Sequence, residues 1–144
     1  MDEMVLGFLF DVDFNSVMLI RKNRPAWQAG KLNGIGGHVE EGDVYPKAAM
    51  IRECKEETDV WMMNWKCFAT LTGVAATWKV HCFYCTAAQE QLRTVKGGEE
   101  GPLTFHDVKN LPDDVLPNLH WLIPMAIAST KADHAKEVSI REVA

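Results

Sequence analysis

The chain has 144 residues, 47% of them apolar and 24% charged, which suits one soluble globular domain and excludes a disordered or fibrous protein. A net charge of -5 argues against binding a nucleic-acid polymer, so any phosphate partner is expected to be a small molecule met through a divalent cation. No stretch approaches the roughly 20 apolar residues of a membrane helix, and the apolar N-terminal run lacks a basic flank or a cleavage site. The expectation is a single cytoplasmic domain over 1–144, with no membrane partner, as a monomer or a homodimer.

Residues 4–10 and 17–21 read as a hairpin around the turn-forming stretch 11–16. Residues 22–42 carry Gly30, Gly34, Gly36, Gly37 and Gly42 and read as a long shaped loop. Pro46 suits the first turn of a helix that continues from Lys47 to Thr58. Strands follow near 65–72 and 77–86, then a polar connection over 87–101, a strand near 103–106, and a last helix starting between Asn118 and Trp121. The later start would put Pro124 in its first turn. The charged tail from Lys131 is expected to fray. Cys82 and Cys85 on a strand would face opposite sides, which favours buried free thiols over a metal or disulfide pair. A hairpin, one helix and then several strands in sequence favour the α+β class, a mixed sheet with helices on its faces.

The chemistry concentrates in Gly36-Gly37-His38-Val39-Glu40-Glu41-Gly42-Asp43 and in Arg52-Glu53-Cys54-Lys55-Glu56-Glu57. At about 100° per helical residue, Glu53, Glu56 and Glu57 share one face. Three like charges there repel by a few tenths of a kcal/mol per i,i+4 pair, and a hard cation such as Mg²⁺ would offset this. Taken alone, the acids also fit a solvated helix face paired with Lys47, Arg52 and Lys55.

The glycines and their register to the helix add what the acids lack, because the segment resembles the Nudix box. Gly37, Arg52, Glu53, Glu56, Glu57 and Val60 match its pattern, and Cys54 takes an aliphatic place. Asp43 stands for the early Glu with one extra residue before Arg52, and Asp59 stands for the late Gly. The resemblance implies a Nudix fold, with helices on both sides of the sheet (α/β/α). It implies Mg²⁺, with Mn²⁺ able to substitute, held by Glu53, Glu56, Glu57, the Gly37 carbonyl and Glu99 of a later loop, although a solvated turn also accounts for Glu99. Arg52 would orient the acids and Asp43 would brace Arg52, with the extra residue bulging the loop before the helix. Either Glu53 or Glu56 would take the proton of the attacking water.

The stretches 30–37 and 116–124 also resemble MutT-like triphosphatases of oxidised purine nucleotides, which implies that Asn33 and Asn118 read the base. A turn role for Asn33 and an N-cap role for Asn118 remain open. Leu116 and Leu119 depart from an aromatic and an acid in that branch. Arg21 and Arg24 would meet phosphates, as an alternative to plain surface exposure, and Trp27, Trp78 and Phe83 offer stacking surfaces. The implied activity is metal-dependent hydrolysis of an ordinary or oxidised purine nucleoside triphosphate to monophosphate and pyrophosphate. An ADP-ribose or dinucleoside polyphosphate pyrophosphatase and a non-catalytic nucleotide-binding module are the alternatives.

Overall fold

The computed structural model describes residues 1–98 and 101–143. Strands β1 (Asp2–Asp11) and β2 (Ser16–Arg21) form the hairpin, antiparallel with Leu9 opposite Met18. Asp11 Oδ1 closes its turn by accepting from the amides of Asn15 and Ser16, both at 2.8 Å. Along its whole length β1 runs parallel to β6 (Trp78–Ala87), which pairs antiparallel with β5 (Lys66–Thr72). Successive β1 side chains face opposite sides. Leu6, Phe8 and Phe10 join Leu119, Leu122 and Ile123 of α3 (Leu119–Ala128), whereas Val5 and Leu9 join Met50 and Cys54 of α1 (Pro46–Thr58). Burying each large apolar side chain contributes roughly 1.5–3 kcal/mol, so both faces of β1 are committed to a core. The mixed sheet covered by helices is the α+β arrangement that the sequence predicts.

The structure departs from expectation in three places. First, the glycine-rich stretch is not all loop: it holds a 3-10 turn at Ala26–Gln28, β3 (Leu32–Asn33) on β2, and β4 (Ile35–His38) antiparallel to β1. Gly36 and Gly37 carry no side chain to display a period of two, so the strand pattern is silent there. Second, the polar connection contains a one-turn helix, α2 (Gln89–Leu92), that buries Leu92. Helix α3 begins at Leu119, within the expected range and at its earlier side, so Pro124 lies inside the helix. Pro124 is exposed, so the carbonyl it leaves without a helical donor faces the solvent side.

The third correction concerns the tail. It adds strand β8 (Val138–Arg141) parallel to β5, with Val138 and Ile140 packed on the α3-side core. Lys136 Nζ donates to the carbonyls of Ser129 at 3.3 Å and Lys131 at 2.8 Å, which caps the end of α3 with a cation. With β7 (Leu103–Asp107) on β2, the strand order is β3-β2-β1-β6-β5-β8, and β4 branches off β1.

The four cysteines are free, with Cys82 in the α3-side core and Cys85 in the α1-side core. Burial pushes the Cys54 thiol up to about 11 and the Cys85 thiol up to about 12, which keeps both as inert thiols at neutral pH. Among the described residues no helix is long and apolar enough to cross a membrane.

Candidate functional site

Helix α1 starts at Pro46, as its ring favours, and stops at Asp59, which takes the left-handed conformation (φ 64°) where the box pattern has Gly. Lys55 Nζ donates to Asp59 Oδ1 at 2.5 Å and so anchors that end. The extra residue of the box sits in the loop before the helix, where Val44 is 86% exposed and Tyr45 56% exposed. The bulge therefore leaves the helical register of Glu53, Glu56 and Glu57 unchanged.

Arg52 is the centre of the site. Its Nε and Nη2 donate to the two oxygens of Asp43 at 3.1 and 2.9 Å, and Nη2 also donates to the His38 carbonyl at 3.0 Å. Its Nη1 donates to Glu53 Oε1 at 3.0 Å and to Glu56 Oε1 at 3.2 Å. The Asp43 brace thus forms despite the insertion. The Arg52 guanidinium holds the Asp43 carboxyl below the usual carboxylate range. Glu40, 3.5 Å from Nε, and the His38 carbonyl are partners that the sequence reading missed; an acid inside the Gly loop was the available signal for Glu40.

Two of the three helix acids are buried. Glu57 is 6% exposed, and the Glu53 carboxylate lies where a Cβ on Gly37 would be, its Cδ 2.6 Å from that position. Burial raises the Glu53 pKa, and Arg52 pulls it back only in part. A desolvated carboxylate beside like charges and a backbone strand calls for a cation, and hard oxygen donors suit Mg²⁺ or Mn²⁺. The donor set therefore fits a divalent ion. Among the described residues no three acidic, His or Cys side chains already converge on one point, and Arg52 Nη1 bridges Glu53 and Glu56.

Glu99 lies outside the described residues. Before it, Gly98 packs against the backbone of Glu56 and Glu57, and the Lys96 amide donates to the Thr58 carbonyl at 2.9 Å. After it, Gly101 packs against Arg21, whose amide donates to the Pro102 carbonyl at 3.2 Å.

The remaining candidates lie near β3. Leu32 donates to the Asp114 carbonyl at 3.0 Å and accepts from the Leu116 amide at 2.9 Å, so the segment leading to Asn118 runs beside the strand that carries Asn33. Asn118 opens α3 without capping it through its side chain. The Asn33 amide is engaged locally, since Oδ1 accepts from the Gly34 amide at 2.8 Å and Nδ2 donates to Gln28 Oε1 at 3.2 Å. Arg21 Nη1 is turned to Asp114 Oδ2 at 2.6 Å and to the Gly30 carbonyl at 2.8 Å, a pairing across the fold that no local motif announces. Arg24 is exposed at the start of the Ala26–Gln28 turn. Leu116 and Leu119 are core residues, as is Phe83; Trp78 is half-buried, and Trp27 is 70% exposed.

The brace is open to a direct test. Asp43→Asn should cost on the order of 1 kcal/mol at neutral pH and lower activity several-fold. Asp43 has a depressed pKa in the folded state, so its stabilisation is present above the ordinary carboxylate pKa and is lost as pH falls through the lowered one. The Tm gap between wild type and variant should therefore be constant near neutral pH and shrink as pH falls below the ordinary carboxylate range. A gap that stays constant through that acid range would remove the ion-pair explanation.

A model of the NUDIX domain family matches residues 4–124. No curated relative matches the chain. Among solved structures, the Nudix hydrolase from Nitrosomonas europaea superposes with a TM-score of 0.75 at 14% identity, over 98% of this chain and 79% of that one. A MutT protein, of Aliivibrio salmonicida or Vibrio cholerae, gives 0.69 at 22% identity over 88% and 97% of the two chains. The bifunctional NMN adenylyltransferase/ADP ribose pyrophosphatase from Francisella tularensis, complexed with AMP and a manganese ion, gives 0.70 at 15% identity over 88% of this chain and 41% of that one. At these identities the structures speak to the fold, and the family match supplies the rest: the chain belongs to the Nudix domain family and is a pyrophosphohydrolase acting on nucleotide diphosphate derivatives.

Proposed function

We propose that the substrate is a purine nucleoside triphosphate, with an ordinary or an oxidised base, cut to the monophosphate and pyrophosphate. The observation that carries the proposal is the pairing of two features. Buried Glu53 sits against Gly37, with buried Glu57 one helical turn further along α1, and the Asn33 amide lies earlier in the same glycine-rich stretch, beside the segment that leads to Asn118.

Glu53, Glu56, Glu57 and the Gly37 carbonyl would hold Mg²⁺ or Mn²⁺, with Glu99 as a further ligand from the loop whose start packs on α1. When bound, the divalent ion lowers the pKa of water and neutralises charge on the phosphates. Water attacks a phosphorus of the α–β linkage, the bridging P–O bond breaks, and the water's proton passes to the Glu53 or Glu56 carboxylate. Arg52 keeps both acids in place through its Nη1 while Asp43 and the His38 carbonyl hold the rest of the fork. Arg24 would approach the phosphates. Arg21, with Asp114 as partner, would do so only through the donors that this pair leaves available.

The test is turnover and product analysis with dGTP, 8-oxo-dGTP, dATP, dCTP, ADP-ribose and a dinucleoside polyphosphate, with Mg²⁺ and with excess chelator. The expected result is monophosphate plus pyrophosphate from a purine triphosphate and no activity in chelator. Asn33→Ala and Asn118→Ala should each lower kcat/KM for the preferred purine by about 1–3 kcal/mol and leave dCTP nearly unaffected. Faster hydrolysis of ADP-ribose than of any triphosphate would overturn the substrate assignment. Nucleotide binding without turnover of any compound would replace the enzyme reading with a binding module.

A further inference from the structure

We propose that Gln28 is a positioning residue for base selection, acting through Asn33; this rests on the reading of Asn33 as a base-contacting amide. A carboxamide is nearly symmetric in shape and can present either end to a ligand, so a site that reads a base with one must fix which end is oxygen. Here a backbone group settles it. The Gly34 N–H can only donate, so the atom of Asn33 lying 2.8 Å from it is the oxygen. The other end is then the amino group, and the Gln28 atom it meets at 3.2 Å is an acceptor, Oε1.

Counting capacities, Oδ1 has two lone pairs and spends one on Gly34, and Nδ2 has two hydrogens and spends one on Gln28. One acceptor and one donor remain, enough for a base edge that offers a donor beside an acceptor. An edge with two acceptors, such as the N7 and O6 pair of unmodified guanine, is a mismatch for that pair.

Gln28 is itself held. It closes the 3-10 turn with its amide donating to the Pro25 carbonyl at 2.9 Å, and its own carbonyl accepts from the Lys31 amide at 2.9 Å. The Lys22 amide donates to the Lys31 carbonyl and the Gly30 amide to the Lys22 carbonyl, both at 2.9 Å, which pins the base of the same loop. The loop thus delivers one side-chain acceptor to the amino end of Asn33, and a side chain without an acceptor would leave Asn33 held at its oxygen end alone, by the Gly34 amide.

The test compares Gln28→Met, which keeps the length and loses the acceptor, with Gln28→Glu, which keeps an acceptor oxygen at the same reach. The readout is the ratio of kcat/KM for the best purine triphosphate among dGTP, 8-oxo-dGTP and dATP to that for dCTP, so an added charge that weakens all phosphates equally cancels. In Gln28→Met the ratio should fall about fivefold, through KM for the purine with kcat nearly unchanged. Gln28→Glu should keep the wild-type ratio. An unchanged ratio in Gln28→Met, or an equal fall in Gln28→Glu, overturns the role of Gln28. If Asn33→Ala also leaves the ratio unchanged, the base-pocket reading fails with it; if Asn33→Ala lowers the ratio, only the Gln28 assignment is lost.

Discussion

Glu57→Gln should cut turnover by at least about 100-fold with the fold intact. Groups that merely support a metal ligand cost 10–100-fold when removed, and a direct ligand should exceed them. Glu57 is 6% exposed and lies one helical turn beyond buried Glu53. The isosteric amide fills the same space, so the core is undisturbed, and it removes one member of a like-charged i,i+4 pair. On adding Mg²⁺ the wild type should gain Tm by mass action, and the variant should gain much less. Turnover near the wild-type level, or an equal Tm gain in both proteins, would remove Glu57 from the metal site.

What the sequence displays and what it hides follow from where the signal resides. Helix α1 is legible because Pro46 opens it and no Gly or Pro interrupts it before Thr58, and the strands of the hairpin are legible because their apolar residues run together. Strand β4 is hidden, since Gly36 and Gly37 offer no side chain to alternate. Strand β8 is hidden by its composition: Val138 and Ile140 alternate with Ser139 and Arg141 inside a charged tail, and only a long-range partner, β5, makes that short alternation meaningful. The same distinction holds at the site. The acids and Arg52 sit in one local register, so the box announces them. The contacts of Arg21 with Asp114 and of Asn33 with Gln28 depend on how loops are folded back, and neither residue type nor spacing marks them.

The second large effect is expected at Gly37, and its neighbour supplies the control. Neither Gly36 nor Gly37 adopts a left-handed conformation, so the backbone at each would accept alanine, and the outcome depends on what the new methyl meets. At Gly36 it meets the carbonyl oxygen and carbon of Val5 and the Cα of Leu6, which are β1 backbone and cannot withdraw without opening the β1–β4 pairing. Gly36→Ala should therefore lower Tm sharply and reduce the yield of folded protein. At Gly37 the atoms nearest the methyl are those of the Glu53 carboxylate, with Cδ at 2.6 Å and Oε2 at 2.8 Å. That carboxylate ends a flexible side chain and can swing away, which breaks its 3.0 Å bond to Arg52 and moves it from the position proposed for the metal. A displacement of about 1 Å in a reacting constellation costs roughly 100-fold. Gly37→Ala should accordingly fold with a Tm close to wild type and lose about two orders of magnitude in kcat, together with most of the Tm gain on Mg²⁺. Wild-type turnover in Gly37→Ala would mean that Glu53 does its work from some other position, and a collapse of Tm equal to that of Gly36→Ala would mean that Gly37 serves the sheet and not the site.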